Sequence, residues 1–461
     1  MQSRSFPCQR HCDMLVSLQG SAMKKKQTEL TVQTWLGGGW HDAAKVTFHE
    51  PEKGHRGSTT TTYLLDYFVQ HACVDAVSSP VVDERALSVR MPVGEDIWLP
   101  TWPAFLMDML PQGPARILLG RAIGLNAVLP SSEVELLAYA AATPVGNLRI
   151  AEAAGKTARP PDMQGIHLDD VLSRSERFVA FASSLPWASP SSVCLQGEWP
   201  KLLLTMTDDG MLFPDAAVPD ADAKQRYVVK LARSRDPRDS LILEIEVLYA
   251  RLAADIGLRV LSGHMGGQGV IMIPRFDRDA TDGSVRHGQE SLVAALGIAE
   301  FGHLAEHEQY LSVISGVSAD PASDRLEYLR RDLVNLALGN DDNHGRNTAL
   351  AKSCGKVRLA QVFDLAPMKL SGKGVARSSK WSCLRNGGND YGPDWRQVAA
   401  SVATDSGEEA ALLDGLGDVA ERLPSAAAKV LARVSDRGAA AHAMSRLEGI
   451  VRDAVAAARR S

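Results

Sequence analysis

The sequence predicts an α+β protein whose strands come first and whose helices come last, and three observations carry that expectation. Runs rich in apolar and β-branched residues, bounded by Gly and Pro, lie at 30–48, 202–204, 226–232 and 270–274. From Ser291 to Leu338, and again through the Ala-rich stretch from Ala410 to Arg460, apolar residues return at helical spacing instead. Between those stretches sits Gly339-Asn340-Asp341-Asp342-Asn343-His344-Gly345-Arg346-Asn347, which fits neither pattern. Such a segment cannot fill a core, because each buried polar group without a partner costs roughly 1–3 kcal/mol. Solvent or a ligand must satisfy it.

The chain of 461 residues has room for two or three domains and for a core without disulfide support. Its cysteines, Cys8, Cys12, Cys73, Cys194, Cys354 and Cys383, form no CxxC pair, which fits a reducing cytoplasm and argues against a structural zinc site. A net charge of −5 and a pI near 6.2 exert no global pull on nucleic acid or anionic membrane. No apolar stretch reaches the roughly 18 residues of a membrane span. The run from Met14 to Leu18 is too short for a signal peptide, so residues 1–27 are read as a disordered extension, with Met23 as an alternative start.

Taken in order, Leu30 to Trp35 and a second strand ending at Phe48 flank the turn Gly37-Gly38-Gly39. Tyr63 to Val69 reads as a strand or a short helix, and a turn-rich segment leads from Trp98 to a helix start at Gly113. The polar stretch from Ala151 to Gln164 is the expected linker. Val193 to Lys201 forms a loop entering a strand, in which Gly197 would let backbone approach a phosphate and Lys201 would add charge. Arg226 to Ala232 is a strand interrupted by Lys230. A helix from Ser240 to Ile256 follows, closed by Gly257 and carrying Glu244 and Glu246.

Val270 to Pro274 is a strand running into Arg275-Phe276-Asp277-Arg278; Asp282-Gly283 is a turn, and Gln289-Glu290 opens a set of helices. The last of them, Leu326 to Leu338, stops at Gly339. Val357 to Val362 is a short strand leading to Phe363-Asp364-Leu365-Ala366-Pro367. His303-Leu304-Ala305-Glu306-His307 matches the HxxEH zinc pattern, and on a helix its histidines would share a face. Without a third ligand it reads better as a solvent-facing pair. GxxxxGK[ST] and GxSxG are absent, so neither a P-loop NTPase nor an α/β-hydrolase has support.

Helix, polar loop, hairpin and then an isolated acid is the order of the catalytic loop and metal-holding Asp of kinases. The segments Asn340-x-Asp342-x-His344-x-x-Asn347 and Phe363-Asp364-x-x-Pro367 carry a closer likeness. So do Arg275 to Arg278, the loop around Gly197, Pro103-Ala104-Phe105 and Leu110-Pro111-Gln112-Gly113. With them the chain resembles the HipA-type serine/threonine kinases, toxins of bacterial toxin–antitoxin pairs, over roughly Thr28 to Trp395.

That resemblance implies a two-lobed protein-kinase-like fold. A small β-rich HipA-type subdomain would occupy 28–150, a β-rich N-lobe 165–273 and an α-helical C-lobe 274–461, closed by Lys380-Trp381 and Asp394-Trp395. It also implies transfer of the ATP γ-phosphoryl group to a Ser or Thr of a protein. Asp342 would accept or orient the hydroxyl proton, and Asn347 and Asp364 would hold Mg²⁺ through hard oxygens. Lys230, held by Glu246, would fix the phosphates, which Gln196, Gly197 and Lys201 would cover. The Pro274 carbonyl and the Phe276 N–H would meet adenine. His344 and Arg346 would contact the nucleotide or brace the loop. Asp341 is the rival base, and the family spacing to Asn347 favours Asp342. The family's autophosphorylated serine falls on Cys194 when aligned on Gly197 and on Ser191 when aligned on Gln196.

The implied partners are a protein substrate, by analogy an aminoacyl-tRNA synthetase, and a HipB-like DNA-binding antitoxin, both cytoplasmic. The small subdomain would contact the antitoxin or scaffold the kinase. No DNA-reading motif of its own is evident in the chain. Two readings compete: a small-molecule phosphotransferase, and a kinase-fold binding protein that is catalytically silent. Lys230, Asp342, Asn347 and Asp364 argue against the second.

Overall fold

A computed structural model describes residues 28–72, 80–156, 164–188, 199–279, 285–372, 374, 377–384 and 391–459. The expected extension at 1–27, the Asp282-Gly283 turn, and Ser191, Cys194, Gln196 and Gly197 of the phosphate-covering loop lie outside these residues.

The first module is built on alternation. β1 (Glu29–Leu36) and the second half of β2 (Gly39–Phe48), beyond a register shift at Val32/Gln33, bury alternate side chains, and the strands meet through Gly37 and Gly38, both at positive φ, as a tight two-residue hairpin turn demands. β3 (Thr59–Tyr63) pairs with β2. Of the two readings for 63–69 the helix holds beyond Tyr63, because α1 (Leu65–His71) starts there. β4 (Ile97–Leu99), α2 (Leu106–Met109), α3 (Gly113–Ile123), α4 (Glu133–Ala140) and β5 (Leu148–Ile150) complete the module, whose sheet runs β4-β3-β2-β1-β5.

The second module holds β6 (Ile166–His167), α5 (Glu176–Ala188), β7 (Lys201–Met206), β8 (Met211–Pro214), β9 (Gln225–Leu231), α6 (Pro237–Asp255), β10 (Met265–Gly267) and β11 (Val270–Pro274). Its antiparallel sheet runs β10-β11-β9-β7-β8-β6. α6 starts three residues before the expected Ser240 because Asp236 accepts a hydrogen bond from the Arg238 N–H (2.9 Å), with Pro237 at the first helical position. Leu30, Val32 and Val46 of the first sheet share one continuous core with Leu202, Leu204, Val229 and Met272 of the second. The two modules are therefore packed together across the expected linker, of which 151–154 is helical and 157–163 lies outside the described residues.

Helices dominate the remainder: α7 (Leu292–Ala295), α8 (His307–Val317), α9 (Pro321–Leu338), α10 (Trp395–Val402), α11 (Ser406–Arg433), α12 (Arg437–Ala443) and α13 (Leu447–Ala458). Between them lie β12 (Gly288–Ser291), β13 (Ala305–Glu306), β14 (Ala349–Ser353), β15 (Lys356–Leu359) and β16 (Ser379–Lys380). Gln289 and Glu290 thus lie in a strand paired with β14, not at a helix start. The reason is tertiary: the buried Glu290 carboxylate accepts from Ser88 Oγ (2.5 Å) and the Val89 N–H (2.9 Å), and Lys352 Nζ lies 3.5 Å away. Among the described residues no helix is long and apolar enough to cross a membrane.

His303 and His307 do not share a helix, since α8 begins at His307. Nor is His307 solvent-facing. It is fully buried, its Nε2 accepts from Arg377 (2.9 Å), and its Nδ1–H therefore donates to Tyr328 Oη (2.7 Å). Both ring nitrogens are committed, which leaves no lone pair for zinc.

Burial pushes the His307 imidazole down from 6.5 to about 4, despite the attraction of Asp332. The unfolded chain takes up a proton near pH 6.5 that the fold refuses until about 4, so stability is full above that range and declines as pH falls through it. The decline expected from this one residue is about 3 kcal/mol. Urea midpoints between pH 7.5 and 4.5 should show it. His307→Gln should be less stable at pH 7.5 but titrate with a shallower slope; an unchanged slope would refute the assignment.

Candidate active site

Lys230 lies on β9 and points toward α6, where Glu246 faces it. The residue is 1 % exposed, and its ammonium donates to Glu246 Oε2 (2.8 Å), Glu246 Oε1 (3.1 Å) and Asp364 Oδ1 (2.5 Å). A strand, a helix and a loop beyond β15 thus deliver three charges to one point. Glu244 points away and accepts from the exposed Ser435 backbone N–H at 2.7 Å. On the neighbouring strand Lys201 stands directly across from Lys230. Like charges in that register repel, and they are tolerated here because Asp364 and Glu246 share the space.

The local electrostatics follow from that crowding. Burial opposes the charge on Lys230, yet the Asp364 and Glu246 carboxylates outweigh it and raise the ammonium above its ordinary range. Burial would lift Asp364 as well, but the Lys230 and Lys201 ammonium groups hold it well below the usual carboxylate range. Lys201 is lowered, chiefly by burial. Asp364 also has φ +59, a left-handed conformation that costs a non-Gly residue of order 1–3 kcal/mol and that clusters at functional sites.

α9 delivers the polar loop. Gly339 caps it at φ +72, and a Cβ there would lie 2.4 Å from the Ala443 carbonyl oxygen, so only glycine fits. Asn340 Nδ2 donates to Asn335 Oδ1 (2.8 Å) and to the Asp364 carbonyl (3.2 Å), which ties the loop to the segment that carries Asp364. Asp341 accepts two bonds from Arg446 (2.6 and 2.9 Å), whereas Asp342 is 37 % exposed. The Asn347 amide donates to the Asp342 carbonyl (3.0 Å), leaving its oxygen as an acceptor. His344 Nδ1 accepts the Arg346 N–H (3.2 Å), so Nε2 carries the hydrogen of the neutral ring, 3.8 Å from Asp342 Oδ1. Burial lowers His344, which favours that neutral form.

Of the two roles expected for Arg346, the geometry is that of a brace. Its Nη1 donates to Asp108 of α2 (2.9 Å) and its Nη2 to the Glu300 carbonyl (2.9 Å). Pro274 ends β11 opposite Tyr227, and the Phe276 ring lies 5.7 Å from Phe363, next to Asp364.

Asn347 and Asp364 line one small cavity of about 20 Å³ with Asp332, Asn340 and Asn343. Asn340 Oδ1, buried there, has no hydrogen-bond partner. No group of three His, Cys, Asp or Glu able to hold a metal occurs among the described residues. The donor set of one carboxylate and one amide oxygen fits Mg²⁺, which takes one or two protein oxygens and completes its shell with phosphate and water.

Three contributors were not legible as site residues: Asp108, Arg446 and Asp332. Asp332 is buried at core-facing spacing on α9 and accepts from Arg377 (2.7 Å) and Trp381 Nε1 (2.9 Å) beneath the loop. An acid three residues from Leu329 and four from Leu336 was the available signal. Asp108 and Arg446 gave none.

Residues 193–434 match the model of the HipA-like C-terminal domain. A curated relative, the provisionally named kinase Y4mE of Sinorhizobium fredii (strain NBRC 101917 / NGR234), is 27 % identical over 276 residues, 57 % of this chain. The chain spans 63 % of that relative's length. A chain of the solved complex of HipA, HipB and operator DNA from Shewanella oneidensis MR-1 is similar with a TM-score of 0.62 and 17 % identity, covering 94 % of this chain and 97 % of that one. The proinflammatory kinase CtkA of Helicobacter pylori aligns over 56 % of this chain and 96 % of its own, at a TM-score of 0.38 and 12 % identity, too distant to bear on the fold. With its two lobes, its amino-terminal β-rich module and a family match over more than half its length, this chain belongs to the HipA-like kinase family.

Proposed function

We propose that the chain transfers the γ-phosphoryl group of ATP to a serine or threonine hydroxyl of a protein and acts as a growth-inhibiting toxin. The observation that supports this best is the meeting of Lys230, Glu246 and Asp364 beside the loop that bears Asp342 and Asn347. Phosphoryl transfer asks little covalent chemistry of a protein, so alignment and charge supply most of the rate. Lys230 and Lys201 give the positive charge that a triphosphate needs, and Glu246 keeps the first of them aimed. Asp342 accepts or orients the hydroxyl proton, with the His344 Nε2–H alongside. Asn347 and Asp364 would hold Mg²⁺, which when bound neutralises charge on the phosphates. Gln196 and Gly197 would cover those phosphates, and the Pro274 carbonyl and Phe276 N–H would take adenine. By the same resemblance the chain works in the cytoplasm with a small DNA-binding antitoxin as its partner.

Expression in a bacterial host is expected to arrest growth, and γ-labelled ATP with the purified chain to label Ser or Thr of lysate proteins. Label confined to small acceptors would identify a small-molecule phosphotransferase. Arrest that persists with Asp342→Ala would identify a binding protein.

A further inference from the structure

We propose that Asp108, in the amino-terminal module, is a positioning residue for the catalytic loop and sets the rate of phosphoryl transfer from outside the two lobes; this rests on the kinase reading above. Asp108 sits on α2, whose neighbours Leu106, Met107 and Met109 are buried and fix its direction. Its carboxylate accepts three bonds: from Arg346 Nη1 (2.9 Å) and Ser291 Oγ (2.7 Å) on Oδ1, and from the Ser291 N–H (2.8 Å) on Oδ2. Arg346 belongs to the loop itself, whereas Ser291 adjoins the residue that bonds the loop's exit.

On one side, Arg346 precedes Asn347 and its N–H fixes His344, whose other ring nitrogen faces Asp342. On the other, Ser291 ends β12, and the next residue, Leu292, donates its N–H to the Thr348 carbonyl (3.0 Å), immediately after Asn347. One carboxylate therefore ties the segment from Asp342 to Thr348 directly at Arg346 and, through Ser291 and Leu292, at Thr348. Gly345 leaves that segment no slack, since a Cβ there would lie 2.3 Å from the Tyr310 ring.

Cohesion between the modules does not depend on this contact. Lys352 Nζ donates to the Ala86 carbonyl (3.0 Å), Glu290 accepts from Ser88 and Val89, and Asp277 accepts from the Gly146 N–H (2.7 Å). Asp108 differs from those anchors because its partner lies inside the catalytic loop. A rigid neighbour that holds a reacting constellation is worth rate, because misplacement of about 1 Å costs turnover far more than it costs binding.

The test uses the full chain with ATP and a generic Ser/Thr protein acceptor. Asp108→Asn keeps the shape but removes the charge that Arg346 meets, and its amide nitrogen can no longer accept the Ser291 N–H. It is expected to lower kcat about tenfold while KM for ATP stays within about twofold and the protein remains folded at the assay temperature. Arg346→Gln should do the same, and the double variant should be no worse than either single. Asp108→Glu should recover part of kcat.

A turnover-independent readout keeps the two readings apart. In labelled protein the ring-nitrogen signals of His344 should change in Asp108→Asn. If the parent chain moves no phosphate, the kinase reading fails and Asp108 is judged on His344 alone. Wild-type kcat in Asp108→Asn, a double variant that falls by the product of the singles, or an unmoved His344 signal would overturn the proposal.

Discussion

Asp342→Asn is expected to lower phosphoryl transfer by about 10²–10⁴, the usual contribution of a positioned acid or base, while leaving the fold intact. The side chain is 37 % exposed, so an isosteric amide at this place should shift stability by less than about 0.5 kcal/mol. The neighbouring substitution makes the opposite pattern. Asp341 is 7 % exposed and engaged by Arg446, so Asp341→Asn strips a half-buried guanidinium of its charge partner and should destabilise the protein while sparing much of the transfer. Steady-state kinetics and urea unfolding of the two variants side by side decide which acid serves the hydroxyl. If Asp341→Asn is the inactive, well-folded member, the spacing argument that chose Asp342 is wrong.

What the sequence could reveal here follows from how far each contact reaches along the chain. Lys230 was legible as a charge interrupting an apolar strand, and Glu246 as the helix acid matched to it, because strand and helix periods are local properties. The loop from Gly339 to Asn347 was legible because so dense a run of polar residues cannot fill a core. The Gly339 stop was legible for the same local reason, since a left-handed cap is a glycine position. By contrast Asp108 meets Arg346 across 238 positions and Asp341 meets Arg446 across 105, and no period or spacing encodes such pairs. β12 was misread for a related reason. Gln289-Glu290 has no strand propensity of its own, and only Ser88, Val89 and Lys352, far away in sequence, make an extended buried glutamate tolerable. His307 was placed in solvent because a histidine beside acids resembles a surface, although its partners Tyr328 and Arg377 lie on other segments.

Lys230→Met should abolish measurable transfer and also weaken the fold, and separating the two effects is the stronger test of the site. Met keeps the packing of the stem, so the loss falls on the charge. Glu246, 3 % exposed, is then buried without its cation, a situation that costs about 3–5 kcal/mol. Asp364, 22 % exposed, can recover part of its solvation from water. The pH dependence has a defined sign. Asp364 titrates below its ordinary 3.8, so the stability it gains from Lys230 is present above that value and is lost as pH falls. Lys230 titrates above its ordinary 10.5, so its share is present below that value and is lost as pH rises through the folded pKa. The stability gap between parent and Lys230→Met should therefore narrow as pH falls, once the orphaned Glu246, which burial already raises above its ordinary 4.5, takes up a proton, and narrow again as pH rises through the folded pKa of Lys230. The double variant Lys230→Met with Glu246→Leu replaces a buried ion pair by apolar side chains, an exchange that is often neutral for folding. It should regain most of the lost stability and none of the transfer. Transfer that returned with stability would mean that Lys230 only holds the fold, and the phosphate role assigned to it would fall with that result.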